Sequence, residues 1–570
     1  MAVFFLLPYF RRDLRYPLGW DSPFYIWRSQ LVPLVGLDQN GVVRSGSPLL
    51  LAVLSRLTGQ SAWTLVAVVP AILAGVASLG GAAMARVALG LPVRWIPVIG
   101  IVMWLGFGYA GMVWEQFDNV HNAALVLAGF AAALCAVAAG RGSLGAGILF
   151  LAAGLAHWQF YLFAMAIFVV AVLLWAWREV DTSGADRKLF GRMGSLLAAA
   201  GGSAALVGVG FMLTPFSPLV GPRFAGLGDL LRERFLRRAA EPGRYLAVPL
   251  AVGGAVLTYR SSSPSSARPA RNLFLWLAAV WAGLTVLGAV AQAFGAPTAG
   301  LRLLHYFFPM TILAGVFVWN ASEQAARGAS SRDATIVTAA LVVVVLGAFG
   351  TFAVSQQYRV RSWVEVEAVQ QAVTAADYTG SEVPARQRVS YIVESRDSLT
   401  FARWRNTILS SIPPSEAIRS DVTQVDRGAS LDVHAGAVIA IAQYAPRTIR
   451  DAARQQRGTF VGNGVVVLRG PSFPSVIKTP PSPDVATSAA LPVAGLIAVL
   501  FFLSGAGWAW VLLPPDAPSR ILLSPAFGIA ALVLATLVWE RLGLSLAGWM
   551  IAVPGAVAAG AGWVLAAVRR

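Results

Sequence analysis

Glu115, Asp118 and His121 fall within seven residues of one another in the stretch MVWEQFDNVHNA, residues 112–123. Two carboxylates and an imidazole at this spacing can accept or deliver a proton, orient a hydroxyl, or help to hold a cation. The stretch separates two apolar runs, Trp95 to Val113 and Ala123 to Ala139, each close to the ~20 residues that cross a bilayer. Acidic residues are scarce, 27 in 570. Ionisable groups at the end of a membrane helix usually meet water or line a working cavity, because charge facing lipid is costly. The plainer alternative is capping: Asp118 and Asn119 are good residues for a helix start, where an acid also suits the helix dipole.

Three further clusters carry the same kinds of group. Asp21 lies in WDSPFYIWR with Tyr25 and Arg28; His157 and Trp158 lie in AHWQFY; Arg302 and His305 lie in GLRLLHYFFP. Each has a simpler explanation. Asp21 suits a turn before Ser22 and Pro23, His157 suits an interfacial histidine among aromatics, and Arg302 suits a snorkelling arginine. Their placement on a common membrane face would argue for a shared role.

The elements that must position them are membrane helices. The chain is 57% hydrophobic and 12% charged, with mean hydropathy +0.66, which excludes a soluble globular protein. The net charge of +17 is spread along the loops and does not form the clustered patch of a nucleic-acid binder. With Cys135 as the single cysteine, disulfides and cysteine metal sites within the chain are excluded.

Met1 to Phe10 is apolar but half the length of a span and is followed by Arg11, Arg12 and Arg15, so it reads as the outer end of a first helix. Residues 13–61 read as a long loop whose Trp20, Phe24, Tyr25 and Trp27 suit short helices at the headgroup level. Apolar runs predict spans near 62–85, 95–113, 121–139, 144–157, 160–177, 194–214, 244–259, 272–291, 304–320 and 334–354, then 489–513, 521–539 and 546–567. The total expected is about 13–14 transmembrane helices.

Between them, residues 355–488 turn polar, with short β runs at 388–393, 437–444 and 464–470 and a helical stretch at 447–457. The expected organisation is a transmembrane catalytic domain over 1–354, a small α/β domain over 355–488 and a three-helix transmembrane segment over 489–570. Arginine-rich short loops around Arg86, Arg141, Arg187 and Arg268 place that side in the cytoplasm. The Asp21, Asp118, His157 and Arg302 clusters then share the outer face with residues 355–488. Residues 215–243 depart from this charge bias, since they carry Arg223, Arg232, Arg234, Arg237 and Arg238.

WDSPFYIWR resembles the first-loop motif of the oligosaccharyltransferase catalytic subunit, in which an Asp precedes Pro, aromatics and an Arg. FDNVHNAALVLAGF is similar to that family's second outer-loop motif, and RLLHYFFPMTILAG to its arginine-containing late helix. Motif order and an outer C-terminal domain also resemble the wider GT-C superfamily of polyprenyl-phosphate-dependent glycosyltransferases. Val120 stands where the family pattern has a Glu, with Glu115 or His121 as substitutes, and Arg28 comes one residue later than the pattern. No tryptophan-rich acceptor-sequon motif occurs in 355–488, which argues against protein N-glycosylation.

The resemblance implies an all-α, GT-C-like membrane fold with a small α/β extracytoplasmic domain, in the plasma (inner) membrane. It implies transfer of a sugar from a polyprenyl-phosphate-linked donor to an acceptor hydroxyl on a cell-envelope glycan, lipid or protein, with membrane lipids around it and no nucleic acid. Asp21 would be the base and Asp118 its partner, with Glu115 and His121 as further catalytic candidates. Arg302, His305 and Arg28 would bind the donor phosphate, and His157, Trp158 and Tyr25 would line the substrate pocket. A divalent cation, Mg or Mn, would suit Asp21 and Asp118. The rival reading is a polytopic transporter or lipid-linked-sugar flippase, which would favour midplane sites, broken helices and internal repeats.

Overall fold

The computed structural model is mostly helical. It describes residues 2–19, 21–40, 45–105, 113–114, 116–183, 187–213, 242–260, 268–293, 308–328, 366–382, 387–394, 398–425, 437–441, 459–462, 465–468, 483–515 and 517–569, with isolated positions between 332 and 364. The helices follow the apolar runs. In chain order they begin with α1 (Ala2–Arg12), α2 (Ser22–Asn40), α3 (Gly46–Thr58), α4 (Ala62–Leu89), α5 (Ile96–Leu105) and α6 (Phe117–Ala139). They continue as α7 (Ser143–Ala156), α8 (Trp158–Ser183), α9 (Arg187–Leu213), α10 (Pro242–Arg260), α11 (Arg268–Ala293) and α12 (Phe308–Gly328). Among the described residues seven helices are long and apolar enough to cross a membrane, and the chain is a membrane protein. The expected spans at 144–157 and 546–567 appear as shorter apolar helices, and most of 334–354 lies outside the described residues.

α4 and α6 form the centre, packed side by side and buried along most of their length. Ser61 starts α4 by accepting a hydrogen bond from the Thr64 amide at 3.3 Å. α6 ends at Gly140, whose positive φ of 72° closes the helix in the left-handed conformation that glycine adopts without a Cβ clash. After Arg141 and Gly142 the chain re-enters a helix at once, so α7 runs back along α6. This hairpin matters for the site.

Residues 366–468 hold α13 (Val366–Glu382), α14 (Ser398–Ser411), α15 (Pro414–Arg419) and a five-stranded sheet in the order β2-β1-β3-β5-β4. The strands are β1 (Val389–Glu394), β2 (Ser420–Val425), β3 (Ala437–Ile441), β4 (Thr459–Gly462) and β5 (Val465–Leu468). β1 pairs in parallel with β2 and β3, while β5 runs antiparallel to β3 and β4. The three β runs read from the sequence are β1, β3 and β5. β2 and β4 are additional, and 447–457 lies outside the described residues.

The first loop departs from expectation. Tyr25 and Trp27 are not at a headgroup surface: Tyr25 is fully buried, and Trp27 and Leu31 enter the core formed by α13, α14 and β1, beside Trp404 and Ile408. An aromatic side chain suits any apolar medium, and here a protein core supplies it. α3 is likewise buried over its first nine residues. Around α2, Ser362 Oγ donates to Pro17 O at 2.9 Å and the Val485 amide donates to Arg15 O at 2.8 Å. The chain on either side of the sheet region, at Ser362 and at Val485, is therefore pinned to residues 15–17.

The last helices are α16 (Ala490–Leu512), α17 (Ala517–Arg541) and α18 (Val553–Val568). α16 and α17 cross so closely that a Cβ on Gly528 would overlap the Phe501 carbonyl. Both also pack on α4, and Glu540 Oε1 accepts a hydrogen bond from the Leu37 amide at 3.1 Å. The C-terminal helices thus complete the same bundle as the first ones.

Candidate active site

The α6–α7 hairpin decides which residues meet. α7 has 14 residues, about 21 Å at 1.5 Å per residue, whereas α6 has 23 and extends about 13 Å further. The end of α7 therefore meets α6 short of its tip, beside its N-terminal part. Asn122 marks the level, donating through Nδ2 to Ala153 O at 2.8 Å and His157 O at 3.3 Å. Both carbonyls also accept a backbone amide at 3.0 Å, Ala153 O from His157 and His157 O from Tyr161, so Asn122 adds a second bond to each and the break between α7 and α8 is bonded as well as packed.

His157 is that break. Its backbone is extended (φ −156°), and α8 begins at the next residue. The imidazole crosses to α6, with Nε2 3.5 Å from Asp118 Oδ2, and both side chains are buried. The Phe160 amide faces Nδ1 at 3.5 Å, so Nδ1 accepts and Nε2 carries the proton toward the carboxylate. A hydrogen bond to a charged group is worth ~1.5–3 kcal/mol. The His157 side chain is only 3% exposed, enclosed by protein, with the Phe160 ring 4.2 Å away between centroids.

His121, one turn further along α6, does not join this pair. Its Nδ1 lies 2.9 Å from Ser47 Oγ on α3, whose start at Gly46 packs on the Ala156 backbone. Its Nε2 is buried and meets no hydrogen-bond partner among the described residues. Asn119 bonds Gln116 at the helix start. Asp118 stands within the first turn of α6, where an acid suits the helix dipole as the capping alternative expects, while the N-cap place itself is taken by Gln116.

Asp21 precedes α2 and is half-buried, with its carbonyl accepting from the Tyr25 amide at 3.1 Å. The Tyr25 ring contacts Phe117, at 5.3 Å between centroids, and so joins the first turn of α2 to the first turn of α6. Trp158 is half-buried at the start of α8. Arg28 faces elsewhere: its guanidinium lies 4.1 Å over the Trp27 ring, the ring that enters the core beside the sheet. Burial first, and the nearby Arg405 guanidinium second, lower its pKa to about 9.

Glu115, Arg302 and His305 lie outside the described residues. The structure therefore brings together Asp118 and His157 and places Tyr25 beside them through Phe117. It pairs His121 with Ser47 and turns Arg28 toward the sheet. Among the described residues no group of three or more His, Cys, Asp or Glu side chains is arranged to hold a metal ion, and the Oδ2 of Asp118 is turned to an imidazole. Glu115, the suggested substitute ligand, lies outside the described residues, and no step is routed through a metal.

Sequence reasoning missed Ser47 and Asn122. Asn122 sits in the quoted FDNVHNA stretch, four residues after Asp118 and so on the same helix face. Ser47 carried no signal beyond a helix-start composition. No protein-family model and no curated protein matches this chain.

Proposed function

We propose that this membrane protein is a glycosyltransferase that uses a polyprenyl-phosphate-linked sugar donor. The acceptor would be a hydroxyl on a cell-envelope glycan, lipid or protein. The observation that supports it best is the buried Asp118–His157 pair at the start of a membrane helix, next to the turn of α2 that follows Asp21. Carboxylates held at helix ends, with a polar turn of a second helix beside them, suit chemistry on a group presented at the membrane surface.

In the reaction, the acceptor oxygen forms a bond to the anomeric carbon while the bond from that carbon to the phosphate oxygen breaks. The phosphate leaves with the electron pair, and the acceptor proton passes to a carboxylate. Asp21 is the proposed base, with Asp118 orienting the acceptor and His157 holding Asp118. Arg302, from the motif that resembles the late helix, is the proposed partner of the leaving phosphate. The site and the sheet region would share the extracytoplasmic face of the plasma membrane.

The test is transfer from a radiolabelled polyprenyl-phosphate sugar in proteoliposomes, for the parent, Asp21→Asn and Asp118→Asn. Loss of transfer with donor binding retained in Asp21→Asn is the expected result. Near-parental transfer by Asp21→Asn would remove it as the base. Movement of the lipid-linked sugar across the bilayer without transfer would favour a flippase.

A further inference from the structure

α9 is the least buried of the seven membrane-length helices among the described residues. It packs on α7 and α8, and beside α7 it leaves a groove of about 450 Å³. Small residues make the groove: a Cβ on Gly147 of α7 would lie 3.5 Å from Ala199 of α9, and one on Gly202 would meet nothing within 4 Å. Leu151 on α7 and the exposed Leu206 on α9 form its walls at the far end. The hydroxyls along it are already used. Ser195 Oγ donates to Arg192 O at 2.9 Å, and Ser203 Oγ donates to Ala200 O at 2.9 Å while it bonds the Tyr161 hydroxyl at 2.6 Å. What the groove offers an occupant is therefore mostly hydrocarbon.

The same face of α9 turns basic below the groove. Arg192 precedes the lining residue Ala199 by two helical turns, and Arg187 precedes the lining residue Ala198 by three, so both arginines start beneath the groove. Neither guanidinium meets a carboxylate among the described residues, and α9 contains no Asp or Glu. Arg187 is exposed and Arg192 half-buried. An apolar groove that opens at one end onto two guanidinia is complementary to a molecule with a hydrocarbon tail and an anionic head. A second copy of the chain would bring the same cations to the same place and be repelled.

We propose that the groove between α7 and α9 binds one acyl chain of an anionic phospholipid, with Arg187 and Arg192 holding its phosphate. Its length supports this occupant. From Ser195 to Leu206 the groove runs about 16 Å, close to half of the ~30 Å hydrocarbon thickness, which is the depth of a single leaflet. Arginine reaches along its helix to the headgroup level, where it pairs with phosphate oxygens. The site rests on groove shape and charge and does not depend on sugar transfer.

The experiment is native mass spectrometry of the delipidated full chain in detergent, titrated with dioleoylphosphatidylglycerol and with dioleoylphosphatidylcholine, which have the same chains and differ in net charge. The parent should bind the first phosphatidylglycerol more tightly than the first phosphatidylcholine. Arg187→Gln with Arg192→Gln should weaken phosphatidylglycerol binding roughly tenfold to thirtyfold and remove the preference. Gly202→Leu should fill the groove and lose the tight binding of either lipid. Gly201→Leu, where a Cβ likewise meets nothing within 4 Å but the position is off the groove, should behave as the parent. Equal binding of the two lipids by the parent, or tight binding retained by Gly202→Leu, overturns the site. A dimer of the lipid-free parent that Gly202→Leu dissolves would place a second copy in the groove and overturn it as well.

Discussion

His157 Nε2 lies 3.5 Å from Asp118 Oδ2, across a distance of 39 positions in the chain, because α7 is shorter than the α6 it folds back on. A buried carboxylate that faces an imidazole in this way should be energetically coupled to it. In a double-mutant cycle, His157→Ala should cost ~1.5–3 kcal/mol more with Asp118 present than in an Asp118→Asn background. Unfolding of the purified protein in detergent gives the four stabilities. A coupling of zero would make the contact incidental.

The crossing of α16 and α17 provides a test of packing. Gly528→Val should destabilise the protein by ~1–3 kcal/mol, since the new side chain overlaps the Phe501 carbonyl. Gly495→Val on α16, where a Cβ meets nothing within 4 Å, serves as control and should unfold like the parent. Thermal unfolding followed by near-ultraviolet circular dichroism distinguishes the two.

Arg94 and Glu323 form an ion pair at the end of α12, beyond its apolar part. The hydrogen bond from Arg94 is the first cause that lowers the Glu323 pKa below its ordinary value of 4.5. A carboxyl with a lowered folded pKa adds stability above its unfolded pKa and loses it as pH falls through the folded one. The parent should therefore lose slightly more stability than Glu323→Gln on acidification below about pH 4.5. With Arg94 71% exposed, solvent screening holds the effect to roughly 0–1 kcal/mol. A parallel pH profile of the two proteins would show that the pair contributes nothing.

Sidedness follows from the proposed orientation. In a Cys135→Ser background, single cysteines at Thr423 on β2 and Arg187 at the start of α9, both exposed, should label on opposite sides of the membrane. A membrane-impermeant thiol reagent on intact cells should reach Thr423→Cys and leave Arg187→Cys unlabelled until lysis. The reverse pattern would invert the topology and move the candidate site to the cytoplasmic face.

Helix positions were legible because hydropathy is local and additive: α4, α6, α8 and α11 start and end close to the apolar runs that predict them. The valine- and isoleucine-rich β1, β3 and β5 were legible for the same reason. β2, SDVTQV, was not, because a polar strand at the edge of a sheet need bury only one face. The types of the candidate residues could be read as well, since a carboxylate or imidazole next to a span is conspicuous against apolar surroundings.

Only the tertiary structure decided which of these residues meet. That Asp118 faces His157 while His121 faces Ser47 depends on the relative lengths of two helices and on the turn at Gly140. Such offsets of a few ångströms are not encoded in the identity of either partner. The aromatic residues of the first loop show the same limit. A membrane interface and a protein core both take up an indole, so composition could not choose between them, and it was the α13–α14–β1 core that took Trp27 and carried Arg28 to Arg405.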